Sequence, residues 1–459
     1  MTKKLLILLT IIVLISCNTT NDSNKHSVYF GGEIKNPTAG FICLKKDSEL
    51  IDTLFLSAQN KFSKHFTQLR KGLYTFHHGN ELQYIFLDAQ DSISIHLNTK
   101  DFDESLTFSG KGAEKNEYLL NLFLENEKED KLFHQYFRLS PQEFKDKVDL
   151  LQELKYVDLE EFEISQNNRC KAFSKIAKAT IDFSLYKKME YYPWAHKNIT
   201  TAKHFEEIDD SFYAYRKNID LNDEDMIGYY VYTNYLINYL YNQAFQNLKN
   251  KEFSKNEIRI EFFKAVEKNI TLESFKNKLL MDNILHNILK NPNTNDLDVL
   301  HLFLNISTNL ADKEKIARLI ENKISLQNNQ SIPNFTLTNT KNIDVPLNRV
   351  IRNKKAVVYF WSKKYMSPKY LSSRITYLRK KHPNYTFIGI NIDQNPYPAT
   401  TEASFPFEKH QFKLPKTSIA QKFCSSGYPR TLIISNKGQI LNSYTNISTK
   451  DFSTSLASF

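Results

Sequence analysis

The six residues Ala356-Val357-Val358-Tyr359-Phe360-Trp361 are apolar or aromatic at every position. A strand that alternates apolar and polar residues can leave one face in water. One that is apolar on both faces belongs in the middle of a sheet covered on each side. Ser367-Pro368 then supplies a cap residue and a first-turn proline, so residues 367–383 are expected to form an amphipathic helix. Short strands at 334–339 and 385–393, a turn with a short helical segment at 345–351, a hairpin around Asn436-Lys437-Gly438 and a last helix at 448–459 complete an α/β domain over 330–459.

Two other regimes precede it. Residues 28–110 are short β-rich runs separated by turn residues, the spacing of a small antiparallel sandwich or barrel. Residues 114–327 carry apolar residues at helical spacing, with Ser140-Pro141 and Glu143 as a clear helix start. The expected fold class is multidomain: an antiparallel β sandwich, an α-helical region, then an α/β domain.

The first seventeen residues read as a signal peptide. Lys3 and Lys4 precede an apolar run from Leu5 to Ile15, and Ser16 precedes Cys17. Leu14-Ile15-Ser16-Cys17 resembles the lipobox of bacterial lipoproteins, which implies lipid attachment, of palmitate type, at Cys17 and a mature chain beginning there. Residues 18–27 are polar and aperiodic, a flexible tether. The expected location is therefore the cell envelope, anchored to a membrane at the periplasmic face or in the outer membrane.

Removing Lys3 and Lys4 leaves 59 basic against 51 acidic side chains, a net charge of +8 in place of +10. In an exported protein such a surplus meets phospholipid, lipopolysaccharide or glycan rather than nucleic acid, and here the basic residues are dispersed along the chain. Beyond Cys17 only Cys43, Cys170 and Cys424 remain, with no CxxC and no metal-ligand spacing, so neither a disulfide scaffold nor a resident metal or other cofactor is expected.

His77 and His78 are adjacent on a strand and point to opposite faces, which makes them poor joint ligands; His65 and His96 lie on other strands. The stripe Tyr232, Tyr235, Tyr239 suggests a stacking platform for sugars, but its spacing is that of one packed helix face. Asp223, Glu224 and Asp225 fit a solvated helix start.

In residues 28–108 a "G-x-I" strand, "IDT", "KFS", "GLY" and "DSISI" follow in order. This order resembles the N-terminal β-domain of Bacteroidetes lipoproteins that carry a thioredoxin-like domain behind it. The last 130 residues resemble the thioredoxin superfamily, most closely its exported TlpA-like branch. The carriers are Phe360-Trp361, Gly389-Ile390-Asn391-Ile392-Asp393, and Gly427-Tyr428-Pro429 followed by Arg430-Thr431-Leu432-Ile433-Ile434. The resemblance places the family's CxxC cysteines at Tyr365 and Pro368, or at Met366 and Lys369 one residue on. No register supplies a thiol, so the family's dithiol exchange cannot run there. Pro429 matches the family's cis-proline, beside Tyr428.

Two functional classes follow. The thioredoxin-like domain is a redox-inactive binding or scaffolding module, gripping an envelope protein or extended peptide beside Pro429, with Lys363 and Lys364 near a helix start that can hold an anion. Alternatively the chain acts as an oxidoreductase through the lone thiol of Cys424 or through a partner's thiols, although Phe423 and the helix-like residues beside it suggest that Cys424 is packed. A third reading is a glycan-binding envelope lipoprotein acting through its β-domain and tyrosines.

Overall fold

A computed structural model describes residues 27–47, 49–166, 169–200, 207–248, 252–288, 296–363, 366–393, 408–424, 430–449 and 451–459. The chain divides into two compact units, 1–252 and 253–459. It combines β-sheets, a helical region and an α/β part. Among the described residues no helix is long and apolar enough to cross a membrane.

In the first unit, β1 (Val28–Lys35), β2 (Phe41–Lys46), β3 (Glu49–Phe55), β4 (Lys61–Phe66), β5 (Gly72–His78), β6 (Glu81–Leu87), β7 (Ser92–Asn98) and β8 (Thr107–Lys111) form two four-stranded sheets. Their orders are β4-β1-β7-β8 and β3-β2-β5-β6. Alternate residues of both sheets meet in one core, with Phe30, Ile42, Phe76, Ile85 and Ile93 fully buried. One pairing departs from the antiparallel expectation: β1 and β7 run parallel. Four of the five strands between them in sequence build the other sheet or return to it, so β1 and β7 meet without a hairpin to fix opposite directions.

His78 clasps the turn before β2. Its Nε2 accepts from the backbone N–H groups of Thr38 at 2.9 Å and Ala39 at 3.3 Å. Nδ1–H therefore carries the ring proton and donates to the Phe41 carbonyl at 3.1 Å. His77 faces the other way, next to the Thr75 hydroxyl at 3.0 Å, and His65 and His96 lie on β4 and β7 of the other sheet. The histidines are dispersed, each in its own setting.

After a short helical turn α1 (Phe102–Ser105) come α2 (Ala113–Tyr136), α3 (Pro141–Ser165), α4 (Lys171–Thr200), a 3₁₀ segment Asp210–Asn218 and α5 (Tyr230–Leu248). The α3 start is as expected, the Ser140 N–H donating to Glu143 Oε2 at 3.0 Å. Tyr232 and Tyr235 are buried against α4, through Phe183, which settles the tyrosine stripe as a packed helix face. A fully buried carboxylate, Glu190 of α4, accepts from the Tyr215 hydroxyl at 2.8 Å, Arg216 Nε at 2.8 Å and Asn242 Nδ2 at 2.7 Å. It thereby ties the 3₁₀ segment and α5 to α4. A buried charge persists only with such a full set of donors.

The second unit opens with α6 (Lys255–Asn269), α7 (Glu273–Asn283), α8 (Leu297–Ile306) and α9 (Leu310–Ser325). Then come β9 (Thr336–Asn339), β10 (Asp344–Pro346), α10 (Leu347–Ile351), β11 (Ala356–Trp361), α11 (Pro368–Lys381), β12 (Thr386–Asn391), β13 (Gln411–Lys413), β14 (Thr431–Ile434), β15 (Ile440–Thr445) and α12 (Phe452–Ala457). One seven-stranded sheet results, in the order β10-β9-β13-β12-β11-β14-β15. β11 runs parallel to β12 and antiparallel to β14. Its side chains divide by parity. Ala356, Val358 and Phe360 enter a cluster with Leu347 and Ile351 of α10, while Val357, Tyr359 and Trp361 enter another with Leu371, Ile375 and Leu378 of α11. Gly389 of β12 is small because a Cβ there would lie 2.6 Å from the Tyr359 hydroxyl, which accepts from Gln411 Nε2 at 2.8 Å.

Burial lowers the His78 pKa below 6.5. Between that value and 6.5 the unfolded chain binds the extra proton, so stability is fully present above about pH 6.5 and is lost as pH falls through the folded pKa. Urea unfolding from pH 7.5 to 5.5 should show a steeper loss for the wild type than for His78→Leu. The variant should also start roughly 1–3 kcal/mol lower, with two backbone donors orphaned.

Candidate functional site

The candidate site is the turn that joins β11 to α11. β11 ends where the Trp361 carbonyl accepts from Ile392 N at 2.9 Å. Beyond it, Met366 N donates to the Ser362 carbonyl at 3.0 Å. Asp393, just beyond β12, holds this turn from the side. Its Oδ1 accepts from the Ser362 hydroxyl at 2.5 Å and its Oδ2 from Lys363 N at 3.0 Å and Asn391 Nδ2 at 3.3 Å. Asn391 answers through its Oδ1, which accepts from Asp393 N at 2.8 Å. Hydrogen bonds to a carboxylate are stronger than neutral ones, so two adjacent strand ends are locked together here.

Helix α11 starts as its sequence dictates. Ser367 is extended at φ −68°, ψ 139°, its hydroxyl accepts from Tyr370 N at 3.2 Å, and Pro368 occupies the first helical position. Arg374 fixes the middle of the helix by donating from Nε to the Ile447 carbonyl at 2.8 Å. Of the two positions in the shifted register, Met366 is buried beside Trp361 and Leu371, and Lys369 is exposed.

The remaining predicted residues divide between described and undescribed parts. Tyr365, Lys364, Tyr428, Pro429 and Cys17 lie outside the described residues. Arg430, which follows Pro429, accepts from Phe360 N at 2.8 Å through its carbonyl and donates from Nε to the Ser443 carbonyl at 3.1 Å. Cys424 ends a 3₁₀ segment that begins at Ile419. Cys43 and Cys170 are free thiols, both in the first unit, where Cys170 donates to Asp88 Oδ2 at 3.5 Å.

Among its described residues this turn offers two serine hydroxyls, of which that of Ser362 donates to the Asp393 carboxylate. Ser367 is committed to capping, and the nearest imidazole along α11, His382, lies about 20 Å down the helix axis from Pro368 at 1.5 Å per residue, next to the Ser453 hydroxyl at 2.9 Å. No cysteine occurs between Ala356 and His382. Sequence reasoning missed Asp393 as the residue that organises the turn. The available signal was an acid directly after the strand next to the one that ends there.

The strand order, with β11, α11 and β12 forming a parallel unit and β14 and β15 antiparallel beside it, defines a thioredoxin-like α/β part. The class is a multidomain protein with a thioredoxin-like part whose turn carries no thiol. No family model matches the chain, and no curated protein matches it. Among solved structures it is similar to the thioredoxin domain of a thiol-disulfide oxidoreductase from Bacteroides vulgatus, at 20% identity over 29% of this chain and 99% of that one, with a TM-score of 0.23. A thiol-disulfide oxidoreductase from Bacteroides fragilis is matched at 19% identity over 28% and 98%, with a TM-score of 0.23. A thioredoxin-like protein from Bacteroides caccae is matched at 11% identity over 59% and 93%, with a TM-score of 0.32.

Asp393→Ala removes the acceptor of Ser362 and Lys363. The expected cost is about 1–3 kcal/mol in urea unfolding, with Asp393→Asn retaining part of it through its remaining carbonyl. An unchanged midpoint in Asp393→Ala would show that the turn stands without the clamp.

Proposed function

We propose that the chain is a lipid-anchored protein of the cell envelope whose thioredoxin-like part is a redox-inactive binding or scaffolding module. The single observation that carries this reading is the thiol-free turn at Trp361–Pro368, where backbone, cap and Asp393 clamp keep the frame while neither Tyr365 and Pro368 nor Met366 and Lys369 can exchange a disulfide. The module's ligand would be an extended segment of an envelope protein, lying beside the Tyr428-Pro429 loop. The two sheets of the first unit would form the sandwich domain that separates it from the tether at 18–27.

A second reading, oxidoreductase action through Cys424, is favoured by one observation. Cys424 lies six residues before Arg430, whose carbonyl is bonded at Phe360, next to the turn. Insulin reduction by the full chain separates the two. The expected result is no turnover above the dithiothreitol background, and turnover abolished by Cys424→Ser would overturn the proposal in favour of the second reading. Placing Tyr365→Cys and Pro368→Cys together should create measurable reductase activity, because the helix start that stabilises a thiolate is already present.

The anchor is tested separately. Wild-type protein should partition with carbonate-washed membranes and incorporate labelled palmitate, and Cys17→Ser should do neither. A variant that stays membrane-bound and labelled would overturn Cys17 as the lipid attachment site while leaving the thiol assay unaffected.

A further inference from the structure

The first unit carries a polar trough that neither the thioredoxin-like part nor the anchor explains. Alternation along β1 sends Val28, Phe30 and Ile34 into the core and Tyr29, Gly31 and Glu33 to the opposite, outward face. Strand register sets Gly31 between Ser63 of β4 and Ser94 of β7, and Ser94 beside Ser109 of β8. A glycine and three serines thus form one row across the sheet. In the next row Glu33 stands between Lys61 and His96.

Gly31 is buried although it faces outward. The cause is Tyr29: a Cβ on Gly31 would fall 2.8 Å from the Tyr29 phenol oxygen and 3.1 Å from its ring carbon Cζ. The ring therefore lies along the sheet, over the glycine, instead of standing out into solvent. It is 37% exposed and lines an open cavity of about 660 Å³. Phe55, 74% exposed, lines the same cavity.

Three properties of this trough specify its ligand. It offers a fixed aromatic surface. It offers uncommitted hydrogen-bonding groups: among the described residues the Ser63 and Ser94 hydroxyls, the His96 imidazole and the Tyr29 phenol make no side-chain hydrogen bond, while Ser109 donates weakly to the Ser94 carbonyl at 3.3 Å. It offers no net charge, because the carboxylate of Glu33 and the ammonium of Lys61 face each other at 3.7 Å. An ionic polymer finds no surplus of opposite charge there, and an acyl chain finds too many polar groups. We propose that the trough binds a neutral saccharide. The Tyr29 ring stacks on the C–H face of one sugar, the serines and His96 exchange hydrogen bonds with its hydroxyls, and Phe55 carries a neighbouring sugar. This site is independent of the thiol and lipid readings above.

Affinity electrophoresis of the full chain in detergent tests it, in gels containing hydroxyethylcellulose, laminarin, glycogen or galactomannan, with alginate as the anionic counterpart. Retardation in at least one neutral gel is expected. Tyr29→Ala should weaken it at least tenfold, while Tyr29→Phe, which keeps the ring, should retain most of it. A thermal melt of each variant identifies a folding defect, and if Tyr29→Ala unfolds, Ser94→Asp on the same outward face must give the tenfold loss. No retardation in any neutral gel, retardation only in alginate, or retardation unchanged by Tyr29→Ala would each overturn the proposal.

Discussion

Burial of β11 on both faces is the constraint on which the second unit depends. All six of its residues are buried, and each large apolar side chain removed from water contributes about 1.5–3 kcal/mol, so neither face can be left uncovered. One covering layer needs the apolar side of α10, the other that of α11 and α12. Strands must flank β11 on both edges, and Gly389 of β12 leaves room for the Tyr359 phenol and the Gln411 amide that bonds it. The chain then has to leave the C-terminal end of a central strand and enter a helix within a few residues. That is the place where a turn is presented to solvent by a rigid frame.

What holds that turn is separable from what would make it reactive. In a dithiol protein the helix N-terminus stabilises a thiolate, but the helix does not need the thiolate in order to form. Here Ser367 satisfies a backbone donor, Pro368 removes another, Met366 fills the adjoining core and Asp393 ties the two strand ends. Two of these contacts, those of Pro368 and Met366, are made by residues that stand where a dithiol would lie in one register or the other, and the helix starts there all the same. The geometry of the frame therefore survives a complete change of chemistry, and its persistence says nothing about catalysis.

The features legible in the sequence are those whose cause is local. The doubly apolar run of β11, the caps at Ser140 and Ser367, and the helical spacing of Tyr232 and Tyr235 each depend on a few neighbouring residues, and the structure has each as expected. The parallel β1–β7 pair depends on how a chain crosses between sheets, which no local pattern encodes. His78 becomes a clasp only when the Thr38 turn arrives from forty residues away, and Asp393 becomes a clamp only when β12 lies beside β11. The outward row of Ser63, Gly31 and Ser94 exists only once register is set, and one residue along β1 the row is Lys64, Phe30 and Ile93 instead.

Polar groups in the first unit fall into two kinds, and the difference bears on function. Some turned inward are tied to partners within the chain: Glu190 collects a full set of donors, and His78 uses both ring nitrogens. Those in the outward trough have theirs left to water, which by itself is ordinary, because an exposed hydroxyl loses nothing by hydration. Tyr29 is what sets the trough apart. A tyrosine on a solvated strand face is free to sample several rotamers, and ordering such a side chain on binding costs about 0.5–1.5 kcal/mol. The ring lies over Gly31 and lines the cavity, so it is already laid along the sheet before any ligand arrives. The glycine thus serves the neighbouring aromatic rather than a turn, and it makes a flat, preorganised surface from a residue that would otherwise have to be fixed at the moment of contact.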